Sequence, residues 1–118
     1  MPQTTLISTL DPKVRTCTDD CTACGNSCLN TMSYCLHMGG RHADPSHLTL
    51  LANCAEICRT SAAFMLTCSE FSNETCDVCA SVCEACAVSC EAFRDEQMAS
   101  CAELCRTCAE SCTEMASM

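Results

Sequence analysis

Seventeen of the 118 residues are cysteine, and nearly all recur in one rhythm. The runs read Cys17, Cys21, Cys24, Cys28, Cys35; then Cys54, Cys58, Cys68; then Cys76, Cys79, Cys83, Cys86, Cys90; then Cys101, Cys105, Cys108, Cys112. Steps of four and three, or sums to seven, mark one face of an α-helix, because residues three and four apart stack on the same side. The spacing predicts four helices in which thiols occupy the places usually held by Leu and Ile. Leu, Ile, Val and Phe together number 18, and with a net charge of −9 that scarcity alone would argue for disorder. A neutral thiol packs as a small hydrophobe, however. Counted as apolar, the cysteines complete an amphipathic stripe in each helix and allow a core to close.

Punctuation residues set the expected boundaries. Asp11-Pro12 and Asp44-Pro45 each combine an N-cap acid with Pro at the first helical position. Gly39-Gly40 is a stop signal. Ser72 or Asn73 is the expected cap of a third helix, and Asp95 of a fourth. The expected helices span about residues 12–38, 45–71, 73–94 and 96–116, with a short apolar segment (Leu6, Ile7, Leu10) before the first. Short links make neighbours antiparallel. The expectation is an all-α chain forming one domain over residues 1–118, an antiparallel four-helix bundle with a cysteine-lined core. Val78, Val82, Ala85, Ser89 and Phe93 form a weaker second stripe on the third helix, expected to pack within the molecule.

Composition narrows the function classes. The acidic balance, with six scattered Lys and Arg, disfavours nucleic acid, which needs basic patches. No run of about 18 apolar residues exists to span a membrane. No basic start followed by an apolar segment marks a signal peptide, so the expected location is the cytoplasm, where thiols stay reduced. A disulfide scaffold fits poorly. The cysteine count is odd, Gly and Pro number three each rather than marking many turns, and i, i+4 neighbours on a helix are poor disulfide partners.

Stacked thiols are soft metal ligands once deprotonated. Sulfurs at i and i+4 approach within about 4–5 Å, near twice a metal–sulfur bond of about 2.3 Å. Each C-x-x-x-C pair can therefore offer a two-thiolate Cu(I) site: Cys17/Cys21, Cys24/Cys28, Cys54/Cys58, Cys79/Cys83, Cys86/Cys90, Cys101/Cys105 and Cys108/Cys112. Cys35, Cys68 and Cys76 lack such a partner and would ligate across helices. Buried thiolates are costly unless neutralised, so charge balance favours sulfurs shared between ions, at about half to one Cu(I) per cysteine. Zinc is the rival metal, binding four ligands tetrahedrally. The tandem pattern of a bacterial iron–sulfur protein is absent.

The two ends of such a bundle differ. One collects His37, Met38, His42, His47 and Met98, weaker and more reversible ligands than thiolate, and is the candidate port for metal. Ordinary loop histidines and core-filling methionines are the alternative reading. The other end gathers Leu6, Ile7, Leu10, Val14, Leu66, Phe71, Met115 and Met118, which would plug the core. Ser61 and Met65 fill the stripe of the second helix, and Met32 is expected in the core.

The motifs Cys17-x3-Cys21-x2-Cys24-x3-Cys28, Cys76-x2-Cys79-x3-Cys83-x2-Cys86-x3-Cys90 and Cys101-x3-Cys105-x2-Cys108-x3-Cys112 resemble those of the four-helix-bundle copper storage proteins, over nearly the whole chain. The resemblance implies a non-enzymatic, high-capacity Cu(I) store of the cytosolic branch, with all seventeen cysteines as ligands and often a homotetramer. A copper chaperone or copper enzyme would be its donor or acceptor. Sequestration of zinc or other soft metals, and a copper-transfer chaperone, are the alternative functions. A redox enzyme is the third, though no catalytic partner set accompanies the C-x-x-C pairs.

Overall fold

A computed structural model describes residues 10–118. The expected apolar residues Leu6 and Ile7 lie outside them. Four α-helices are joined by short links: α1 (Pro12–Met38), α2 (Pro45–Leu66), α3 (Ser72–Glu91) and α4 (Glu96–Ala116), with one 3-10 turn at Gly40–Ala43. No strand occurs among the described residues. Each helix packs on the next, and α4 returns to pack on α1. The result is the antiparallel bundle the cysteine rhythm predicts, measuring 52 × 27 × 20 Å.

Local chemistry explains most boundaries. The Asp11 carboxylate accepts from Lys13 N–H at 2.8 Å, and Pro12 opens α1. The helix ends at Gly39 and Gly40, with φ of 68° and 57°, a left-handed pair that glycine adopts without a Cβ clash. Asp95 accepts from Met98 N–H at 3.0 Å and starts α4 as expected. Asp44 precedes α2 as expected, but its carboxylate accepts from the Ser46 hydroxyl at 2.6 Å rather than from a backbone amide.

Three boundaries differ from expectation, one of them the end of α3, which stops at Glu91 rather than near residue 94. α2 stops at Leu66, five residues early, because a Schellman motif closes it. Ser69 N–H donates to Phe64 C=O at 2.9 Å and Cys68 N–H to Met65 C=O at 3.1 Å. Cys68 occupies the left-handed position normally taken by glycine, with φ of 55°. The N-cap of α3 is Phe71, not Ser72 or Asn73. Ser69 organises this turn instead: its hydroxyl accepts from Phe71 N–H at 3.0 Å, and its carbonyl accepts from the Ser72 hydroxyl at 2.9 Å.

Sulfur fills the interior. Sixteen cysteines are fully buried, and beside them the largest fully buried side chains are Leu51, Met65 and Met98. A small residue follows six of these cysteines: Gly25, Ala55, Ala80, Ala87, Ala102 and Ala109, all buried. One position on from an inward thiol faces the adjacent helix, so a small side chain there lets helices approach. At Gly25 the approach is tightest, since a Cβ would lie 3.3 Å from Cys58 Cβ and 3.5 Å from Ala55 O. Ser61 is buried and donates to Thr75 C=O at 3.1 Å across α2 and α3. Met32 is half-buried against the core.

The second stripe of α3 divides. Val82 and Phe93 pack on the core and Ser89 is half-buried, whereas Val78 and Ala85 face outward. Of the expected apolar plug, Met115 is buried and Val14 packs on the core, while Leu10 is half-buried. Leu66, Phe71 and Met118 are exposed instead. Leu66 and Phe71 flank the early turn at Cys68, which carries them away from the helical stripe.

Candidate metal centre

The inward sulfurs meet mainly across helices. Cys24 of α1 lies 3.8 Å from Cys54, 4.0 Å from Cys83 and 3.7 Å from Cys105, one neighbour on each other helix. Cys58 is 3.8 Å from Cys79, 3.7 Å from Cys83 and 3.9 Å from Cys108. Cys112 is 3.7 Å from Cys17 and 3.6 Å from Cys21, and Cys21 is 3.6 Å from Cys108. Of the seven expected i, i+4 pairs, Cys79–Cys83 at 3.8 Å and Cys108–Cys112 at 4.0 Å make direct sulfur contacts, and Cys24 and Cys28 share a cluster within 4.8 Å. The helical period puts thiols on one face. The antiparallel packing decides which of them touch.

These contacts resolve into four clusters with all sulfurs within 4.8 Å of one another. They are Cys17/Cys76/Cys112; Cys21/Cys79/Cys108/Cys112; Cys24/Cys58/Cys83/Cys108; and Cys24/Cys28/Cys54/Cys105. Cys112, Cys108 and Cys24 each belong to two clusters, so the sets share corners and form a column. A metal–sulfur bond of about 2.3 Å places two sulfurs about 4.6 Å apart in a linear site and about 3.8–4.0 Å apart in a tetrahedral or trigonal one. Separations of 3.6–4.0 Å suit higher coordination and shared sulfur better than isolated linear pairs.

The column titrates as a set. Cys58 is pushed up, first by its hydrogen bond with Cys108, and Cys28 likewise, first by Cys101. Cys24 and Cys86 are pushed down, each first by hydrogen bonding with Cys105. Cys108 is lowered to about 7, with Cys112 the largest cause. Thiols that donate stay protonated and their acceptors gain thiolate character, so metal binding here must displace protons. Cys35 stands apart, raised to about 11 by burial.

Cys35 belongs to the His/Met end. His47 Nε2 lies 3.5 Å from its sulfur and Met98 Sδ 3.7 Å, and all three are buried. His47 Nδ1 lies 2.7 Å from Ser89 Oγ, and burial is the main cause lowering its pKa. The other candidate port residues separate from this group. His42 is half-buried and donates from Nε2 to Asp95 at 2.7 Å. His37 turns outward and donates from Nδ1 to Ser33 C=O at 2.8 Å, and Met38, the last residue of α1, is exposed. At the other end Met65 Sδ is 3.8 Å from Cys76.

Cys68 departs from the buried stripe of the other cysteines. The left-handed turn carries its thiol to the surface, away from the other sixteen. Sequence reasoning also missed Tyr34 and Ser89 beside the candidate port and read Asp95 as a cap alone. Ser89 and Phe93 were legible as a stripe four residues apart. That the stripe ends against His47 depends on the packing of α2 on α3.

A four-helix bundle with a continuous thiol column defines a class of soft-metal-binding proteins. Residues 11–117 match the copper storage protein family (Csp), and the chain belongs to that family. It resembles the Nmul_A1745 protein of Nitrosospira multiformis, with 46% identity and a TM-score of 0.86 over 89% of this chain and 95% of that one. It is also similar to Cu(I)-bound copper storage protein BsCsp3, with 34% identity and a TM-score of 0.84 over 88% of this chain and 98% of that one. An uncharacterized cysteine-rich protein of Bacillus subtilis (strain 168), YhjQ, is 35% identical over 70 residues, which is 59% of this chain and 65% of that protein's length.

Proposed function

We propose that this chain stores Cu(I) along the buried thiol column. The single observation that carries the reading is the sharing of Cys24, Cys108 and Cys112 between clusters. A tetrahedral Zn(II) site with four thiolates keeps a net charge of −2 per ion, and stacking such sites in a dry core is costly. Cu(I) with bridging thiolates approaches neutrality and tolerates variable coordination. Shared corners also leave too few sulfurs for four independent zinc sites. The sixteen buried cysteines are the proposed ligands, and Cys68 is proposed to take no part. Anaerobic titration with Cu(I) against a competing chelator tests this. Saturation is expected at about 8–16 ions per chain, half to one per buried thiol. Saturation at two or three ions, or a preference for zinc under the same competition, would overturn it.

Cys35, His47 and Met98 are the proposed port ligands, supported by their 3.5 and 3.7 Å contacts. A buried store of this capacity is a poorer design for a one-ion chaperone, because sixteen of the seventeen thiols lie inside the bundle. The proposed setting is the cytoplasm, with a copper chaperone or copper enzyme as donor or acceptor. No helix among the described residues is long and apolar enough to cross a membrane.

A homo-oligomer, a tetramer by family resemblance, is the proposed assembly, with α1 and α2 meeting a second copy. Residues 21–69 carry two acidic and two basic residues, whereas residues 70–118 carry ten acidic and two basic. The acidic α3–α4 side repels its like, while the neutral side holds exposed Leu29 and Leu36 beside a groove between α1 and α2 floored by Gly25, Ala55 and Ala62. A largely apolar, charge-balanced face, with Glu56 and Arg59 paired on it, on an otherwise acidic molecule suits self-association.

A further inference from the structure

Cys35, His47 and Met98, the soft ligands gathered at the His/Met end, are sealed from water, whereas Met38 is exposed. Cys35 and Met98 are 0% exposed and His47 is 4% exposed. An ion in solution cannot touch Cys35 until the cover moves. That cover is a layer of half-buried rings. Phe93 lies with its ring centroid 5.0 Å from that of His47 and 4.3 Å from that of His42, and Tyr34 meets His42 edge-on at 5.7 Å.

One carboxylate ties this layer down. Asp95 Oδ2 accepts from Tyr34 Oη–H at 2.8 Å and from His42 Nε2–H at 2.7 Å, and Asp95 Oδ1 accepts from Met98 N–H at 3.0 Å. Burial opposes the charge on Asp95, yet the bonds from His42, Tyr34 and Met98 together hold its carboxyl below the ordinary range. The knot joins the last turns of α1, the 3-10 turn and the first turn of α4. The opposite end is closed differently, by Val14, Met65 and Met115 packed on the core. Parting that end would expose apolar surface. Parting the knot exposes polar groups that water can rebind, at a lower net cost.

We propose that Asp95, with Tyr34 and His42, latches the ring layer over Cys35, His47 and Met98, and so sets how fast Cu(I) is exchanged without setting how much is held. Asp95 is a positioning residue here, outside the ligand set. The inference rests on the storage reading. The experiment uses the full chain, with Tyr34→Phe and Asp95→Asn. Phe keeps the ring and removes one oxygen. Asn is also a strong N-cap, so the start of α4 is retained. Uptake from a Cu(I)–chelator complex and removal by excess chelator are followed by stopped flow, alongside saturating capacity and apo melting temperature. Both variants are expected to exchange about tenfold faster in each direction, as loss of a charge-assisted hydrogen bond predicts, with capacity and affinity unchanged. Wild-type rates in both variants would overturn the latch, as would faster rates that merely track a lowered melting temperature. If Asp95→Asn proves unstable, Tyr34→Phe decides the question. A wild-type capacity of two or three ions would sink the storage reading itself. Full capacity with unaltered variant rates would sink the latch alone.

Discussion

Replacing Cys68 by glycine separates its conformation from its chemistry. At φ of 55° this residue closes the Schellman motif at the end of α2. A side chain in the left-handed region costs about 1–2 kcal/mol relative to glycine. Glycine returns part of this, about 0.4–1 kcal/mol, through the greater freedom of the unfolded chain. The net expectation for Cys68→Gly is a gain of about 0.5–1 kcal/mol. A chain of 118 residues unfolds with an entropy of about 0.25 kcal/mol/K, so the melting temperature should rise by about 2–4 °C. The assay is thermal unfolding of the reduced apo-protein under anaerobic conditions, paired with Cu(I) titration. Cys68→Ala is the matched control, because it removes the thiol and keeps the Cβ, so its melting temperature should stay near that of the parent. Neither variant should lose copper capacity. A fall of one ion or more in both would make Cys68 a ligand, and an unchanged or lower melting temperature for Cys68→Gly would refute the strain argument.

Other substitutions probe the column, the port and the outer face. Cys24 serves two four-thiol clusters and Cys76 one three-thiol cluster, so Cys24→Ala should cost about two ions of capacity and Cys76→Ala about one, read by metal analysis after saturation. His47→Ala should slow uptake severalfold, whereas His37→Ala should leave it unchanged, because His47 faces Cys35 and His37 bonds back to its own helix. Leu29→Glu combined with Leu36→Glu should convert the proposed oligomer to monomers in sedimentation while far-UV dichroism stays constant. Retained assembly would place the interface elsewhere.

The helical register was legible because cysteine spacing, Asp-Pro starts and the Gly39-Gly40 stop are local signals. α1 and α4 accordingly match their expected spans. The end of α2 was illegible because a left-handed turn at that point is normally announced by glycine, and here a cysteine holds it. The same misreading placed Leu66 and Phe71 in the plug and Cys68 in the buried stripe. For the site, period fixes the inward face, and the sixteen buried thiols follow from it. It does not fix helix rotation or the vertical offset between antiparallel neighbours. Cys24 therefore meets Cys54, Cys83 and Cys105 on the other helices as well as its expected partner Cys28. The port divided for the same reason: His37 and His47 both come near one end in sequence, but only packing distinguishes the ring beside Cys35 from the ring in solvent.

The sharing of sulfurs has a consequence for traffic. Eleven cysteines, from Cys17 to Cys28 and their partners on the other helices, form an unbroken chain of contacts no longer than 4.0 Å. That is less than two metal–sulfur bonds of about 2.3 Å, so a captured ion can grip its next holder before it lets go of the last. The chain branches, since Cys24 and Cys58 each touch three other sulfurs, so an ion has more than one route between clusters. From the proposed port beside His47, an ion held at Cys17, near the start of α1, has the longest way out.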